Sequence, residues 1–305
     1  MIVFSASDKG GTGRSVTSAN IAFRRALAGD DVCYLDFDFG SPTVAAVFDV
    51  PSAMGGIGQG GLHSYLQGQV HEPVRLDVWA HTEHQALRHQ PAGSGSLQLL
   101  PGDRSGGEFA VDHDSVIRCI DLFLRLHSEF DVVLVDLSAG RSYAVDLALE
   151  VTARPELHGV GARWLIHHRW THQHVVAASG FAFGPRGILS AGAARGHDVE
   201  QLRGNIRFVR AAVPDPETPP WSLAPPAQSA WMRACDEGLR QLAADRDVGY
   251  SAMLGSVPLE PVLQWREQLI TDEDVLSSWV AGPETLKAFQ DLAGKLTDDD
   301  AWGIP

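Results

Sequence analysis

Residues 7 to 15 read Ser-Asp-Lys-Gly-Gly-Thr-Gly-Arg-Ser, with a short apolar run, Ile2–Phe4, before them and an apolar-periodic segment, Ser15–Ala28, after them. A strand that feeds a helix through so glycine-rich a turn commits the chain to an α/β unit. Gly10, Gly11 and Gly13 let the backbone curl so that successive N–H groups face one centre, and the helix that follows adds the positive end of its dipole. Such a nest suits phosphate oxygens, and Ser15 is placed to ligate a Mg2+ ion bridging two phosphates. A glycine-rich turn that binds nothing is the other reading of the same residues.

The rest of the chain repeats the alternation. Val32–Leu35 is a strand ending in Asp36-Phe37-Asp38, and Leu97–Leu100 is another, running into Pro101-Gly102. Val116, Ile120, Phe123, Leu124 and Leu126 lie near helical spacing. The uninterrupted Val132-Val133-Leu134-Val135 is the pattern of a central parallel strand covered on both faces. Trp164–His167, Ile206–Val209 and Met253–Val257 are further strands, with helical patterns between them. This order predicts a doubly wound, mostly parallel α/β sheet with helices on both faces, in a single domain spanning residues 1–305. Pro214–Pro226 holds six prolines and is read as an irregular surface loop. Ser229–Ala244 and Glu284–Leu296 are predicted helices, and the acidic Asp298-Asp299-Asp300 is expected to fray.

Composition removes several classes of function. The chain of 305 residues carries 24 Lys and Arg against 38 Asp and Glu, a net charge of −14, which disfavours nucleic acid as its main partner. Cys33, Cys119 and Cys235 share no metal or disulfide spacing, which fits a reducing cytoplasm. Asp8 and Lys9 interrupt the first apolar run too early for a signal peptide.

The motifs, taken in order, resemble those of the ParA/MinD-type ATPases, whose deviant Walker A loop reads Lys-Gly-Gly-x-Gly-Lys-Ser/Thr. Lys9 to Ser15 match that pattern except that Arg14 stands at the P-loop lysine. The resemblance implies a P-loop fold that binds ATP (or ADP) with Mg2+ and forms a nucleotide-dependent homodimer. It assigns Lys9, Gly10, Gly11, Thr12, Gly13, Arg14, Ser15 and Val16 to the phosphates, with Lys9 reaching across to the partner's nucleotide. Asp36–Thr43 is similar to the family's switch I, which makes Asp38 the residue that orients the attacking water and lies near the metal. Asp136-Leu137-Ser138-Ala139-Gly140 is similar to Walker B and switch II, so Asp136 holds Mg2+ through water and the Gly140 N–H senses the γ-phosphate. Leu254–Glu260, with Pro258, resembles the strand and loop beside the base; the family's adenine-reading Asn has no counterpart near Phe208-Val209-Arg210. Independently of the resemblance, an acidic group at the carboxyl end of a strand beside the first βα loop lies at the crevice of a doubly wound sheet.

Arg14 divides the functional reading. A guanidinium is wider than an ammonium and planar, so it can grip a phosphate bidentately, block the γ-phosphate site or stall hydrolysis. One reading is a nucleotide-binding switch with slow or impaired turnover. The other is a degenerate, non-hydrolysing scaffold that works through a protein partner. The resemblance covers residues 1–43, 97–101, 131–140 and 253–260, leaving 151–248 divergent. There His167, His168, His172 and His174 invite a metal site, but with no Cys or carboxylate beside them they are read as a strand-to-helix loop. Trp164, Trp170, Trp221 and Trp231 are assigned to the core. The last helix has two Lys and is followed by three Asp, so no membrane anchor is expected there.

Overall fold

A computed structural model describes residues 1–104, 106–215, 217 and 221–303. Among these residues, eight strands form one sheet: β1 (Ile2–Ala6), β2 (Val32–Phe37), β3 (Leu76–Asp77), β4 (Leu97–Leu100), β5 (Val132–Leu137), β6 (Ala162–Arg169), β7 (Ile206–Val213) and β8 (Met253–Pro258). Their order is β3-β4-β2-β5-β1-β6-β7-β8, and every neighbouring pair is parallel except β3–β4. β1, β2 and β5 are buried at every residue, as strands covered on both faces must be.

Successive side chains of these strands enter two cores. Ile2, Phe4, Leu35 and Phe37 pack with helices His113–Glu129 and Tyr143–Thr152 on one face. Val3, Tyr34 and Leu134 pack on the other with α1 (Arg14–Leu27) and helix Pro283–Thr297, through Leu286, Phe289, Leu292 and Leu296. The chain leaves β1 toward β2 on one side, while β6, β7 and β8 extend from its other side. The crevice therefore opens at the carboxyl end of β1, where the glycine-rich loop begins.

Four local expectations are corrected. His167 ends the expected strand Trp164–His167 and does lie in β6, but β6 runs on through His168 to Arg169, and His172 and His174 lie on the helix His172–Phe183, so the strand-to-helix loop is only Trp170 and Thr171. His167 fits a strand interior because its Nε2 pairs with Ser5 Oγ of β1 at 3.0 Å. Trp164 and Trp170 are core residues, but Trp231 is exposed on helix Pro226–Asp245, where only Ser229 and Ala243 are buried. The acidic tail is docked: Asp298 caps a turn at Asp299–Ala301, Arg163 pairs with Asp299, and the Arg163 and Arg207 guanidinium groups stack over buried Trp302. β3 has no pattern of its own; two residues are too few for periodicity. Of the proline-rich segment, residues 216 and 218–220 lie outside the described residues, while Trp221–Leu223 form a turn and Pro225 and Pro226 open the following helix.

Burial, with Arg14 and His168 nearby, pushes the His167 imidazole down to about 3. A histidine buried neutral stabilises the fold above the ordinary imidazole pKa, and that contribution is lost as pH falls and the unfolded chain takes up a proton. Wild type should therefore lose about 2 kcal/mol relative to His167→Gln between pH 7.5 and pH 5. Paired urea titrations at the two pH values measure this; an unchanged difference would contradict the neutral, buried imidazole.

Candidate functional site

The glycine-rich loop is shaped by two left-handed residues, Gly11 at φ 69° and Gly13 at φ 75°, the latter immediately before α1. A side chain at either would be strained. Among the described residues no backbone acceptor takes the N–H groups of Gly10 through Val16; the first helical bond is Thr17 N–H to Gly13 O at 2.8 Å. These donors at a helix start lack intrahelical partners, and they border a cavity of about 580 Å³. Its walls include Gly10 to Thr17, Asp38, Thr43 and Pro258.

Arg14 is buried and turns its side chain across the mouth of the sheet. Its Nε donates to Asp136 Oδ1 at 2.5 Å, its Nη2 to Asp38 Oδ2 at 2.9 Å, and its Nη1 lies 3.5 Å from Ser7 Oγ. The register explains the meeting. Asp36 of β2 is the direct partner of Asp136 on β5, and Ser5 of β1 is its partner on the other side, so all three strands deliver polar groups to one point. Burial works against the Arg14 charge, but Asp136 and Asp38 outweigh it and hold the guanidinium above its ordinary pKa. Burial also lifts Asp136 above the usual carboxylate range, with Arg14 and the Ser15 hydroxyl pulling it back. Asp36, buried and close to Asp136, is pushed well above that range although it accepts the N–H groups of Val44 and Asp38.

The other candidates are dispersed around this triad. Lys9 is exposed and forms no ion pair among the described residues. Thr12 and Val16 are buried, and Ser15 is partly so. The Gly140 N–H donates to Ser7 O at 2.7 Å, so it is already engaged. Pro258 ends β8 on the cavity wall. Arg169, Ala211, Ala212 and Gln264 also line the cavity, with Arg169 Nη2 donating to Gln264 Oε1 at 3.0 Å. Sequence reasoning missed these because they carry no motif; three of them sit at the ends of β6 and β7, and the position of those ends was the only signal. Among the described residues no group of three or more His, Cys, Asp or Glu is arranged to hold a metal ion.

Ser15, Asp38 and Asp136 do not fit magnesium as they stand. Mg2+ needs oxygen ligands at roughly 2.0–2.1 Å in near-octahedral geometry. Here both carboxylates are taken by a guanidinium whose charge would repel the ion. Asp136 Oδ2 is buried with no hydrogen-bond partner among the described residues.

No protein-family model matches the chain. The septum site-determining protein MinD of Bacillus subtilis (strain 168) is 28% identical over 134 residues, which is 44% of this chain and only 43% of that protein. Among solved structures, the MinC:MinD cell division protein complex of Aquifex aeolicus aligns with TM-score 0.61 and 16% identity, over 97% of this chain and 94% of that one. The septum site-determining protein MinD complexed with Mg-ADP from Pyrococcus horikoshii OT3 aligns with TM-score 0.54 and 17% identity, over 98% and 96%. The sheet and its first loop thus define a P-loop NTPase fold. More narrowly, the chain has the fold of the MinD and ParA ATPases.

Removing one partner of a buried ion pair strands the other. Arg14→Ala should destabilise the protein by about 3 kcal/mol at pH 8 and by less at pH 5, where Asp136 takes a proton more readily. Urea midpoints at both pH values give the answer; a midpoint unchanged at pH 8 would mean that Arg14 does not hold the two carboxylates.

Proposed function

We propose that this chain is a cytoplasmic nucleotide-binding switch protein that holds ATP or ADP in the loop from Lys9 to Val16 and pairs face to face with a second copy. The observation that carries the reading is the run of unpartnered N–H groups from Gly10 to Val16, bordering a cavity at the start of α1. That arrangement offers phosphate a set of backbone donors. Lys9, exposed at the edge of the loop, is free to reach a nucleotide held by a facing copy.

Turnover is slow in this reading. Phosphoryl transfer to water depends on a positioned nucleophile and on neutralised phosphate charge. Asp38, the residue that would orient that water, is held by Arg14. Output then comes from the paired state and a protein partner. The net charge of −14 is in keeping with a partner other than nucleic acid or an anionic membrane. The same Arg14 contacts favour a second reading, a scaffold in which the triad is a structural plug and the loop stays empty.

Equilibrium binding of ATP, with solution mass measured alongside, separates the two. The switch predicts saturable binding below 1 mM, on the order of −4 kcal/mol or better, and a mass that doubles with ATP. Lys9→Ala should bind ATP yet remain monomeric. No binding at millimolar ATP would leave the scaffold, and a Lys9→Ala protein that still dimerised would remove the role in pairing.

A further inference from the structure

The Arg14 triad specifies which form of nucleotide the loop takes, an inference that rests on the nucleotide-binding reading above. A nucleoside polyphosphate brings several negative charges to a site that already holds Asp38 and Asp136. In such a fold a divalent ion would have to satisfy the carboxylates and the phosphates together. Here a side chain of the protein already stands on the carboxylates, at 2.5 Å from Asp136 and 2.9 Å from Asp38.

That side chain has capacity left over. A guanidinium carries five N–H donors in one plane. Nε, one Nη2 hydrogen and one Nη1 hydrogen account for the contacts to Asp136, Asp38 and Ser7. The remaining donors belong to a residue that lines the cavity beside the loop N–H groups. Arg14 therefore keeps one hydrogen on Nη1 and one on Nη2 with which to hold a phosphate while its other donors stay on the carboxylates and Ser7. It cannot do so and also admit a magnesium ion, whose ligands would be the same two carboxylates.

We propose that the site binds a metal-free nucleoside di- or triphosphate, with the Arg14 guanidinium as its resident cation in place of Mg2+. Arg14 is then a positioning residue for the carboxylates and a ligand for the phosphates.

The test is equilibrium binding of ADP and ATP to the full chain, by titration calorimetry, in excess EDTA and in 5 mM Mg2+. Metal-free recognition predicts that Mg2+ tightens binding by less than about threefold, or weakens it by sequestering the free nucleotide. A tightening of more than about threefold would overturn the proposal while leaving nucleotide binding intact. Absence of binding in both media would overturn the nucleotide reading itself, and this proposal with it. Arg14→Lys supplies the second arm. An ammonium cannot span both carboxylates, so the variant should become Mg2+-dependent, binding at least tenfold more tightly with the ion than with EDTA. A folded Arg14→Lys protein that remained indifferent to Mg2+ would also overturn the proposal. Should the variant not fold, the wild-type comparison decides the matter alone: equal affinity in EDTA and in Mg2+ supports a resident cation, and Mg2+-dependent binding contradicts it.

Discussion

Asp38 and Asp136 emerge from adjacent parallel strands, and the register of β2 on β5 fixes them at one end of the sheet with buried Asp36 close by. Asp36 and Asp136, out of water, and the partly exposed Asp38 beside them repel one another, and the buried pair also loses hydration. Proton uptake can relieve part of this, and burial does raise Asp36 and Asp136. The rest needs a cation. Arg14 supplies it from the first turn of α1, so the helix start, the glycine-rich loop and the ends of β2 and β5 are tied through one guanidinium.

The same contact divides the site into two halves with different chemistry. On the loop side, backbone N–H groups from Gly10 to Val16 are preorganised and unpartnered. On the carboxylate side, acids suited to a metal or a water are already neutralised by the protein. A glycine-rich loop with free backbone donors thus lies beside acids that are already paired with Arg14. Lys9, outside both halves, keeps its charge exposed at the surface.

Much of this was legible in the residues. Continuous apolar runs such as Val132–Val135 demand cover on both faces, and the glycine spacing of Gly10, Gly11 and Gly13 needs left-handed backbone at two of those positions. The direction taken by Arg14 was not legible. Its position in the motif suggests a phosphate ligand, but its rotamer is decided by β2 and β5, more than 20 and 120 residues away. His168 misled for a related reason: polar side chains argue for a loop unless a distant pairing, here with Arg210 of β7, is known. Trp231 misled in the opposite sense, because hydrophobicity alone does not say which helices stay on the surface. Arg169 and Gln264 belong to no local pattern, and only the sheet order brings them to the cavity.

The most direct measurement of the central claim is a crystal structure grown with a non-hydrolysable ATP analogue and Mn2+, with the ion located by its anomalous scattering. The account predicts nucleotide phosphates in the loop, the Arg14 guanidinium between Asp38 and Asp136, and no anomalous peak beside Ser15 and Asp136. A manganese peak there, with Arg14 displaced from both carboxylates, would contradict it.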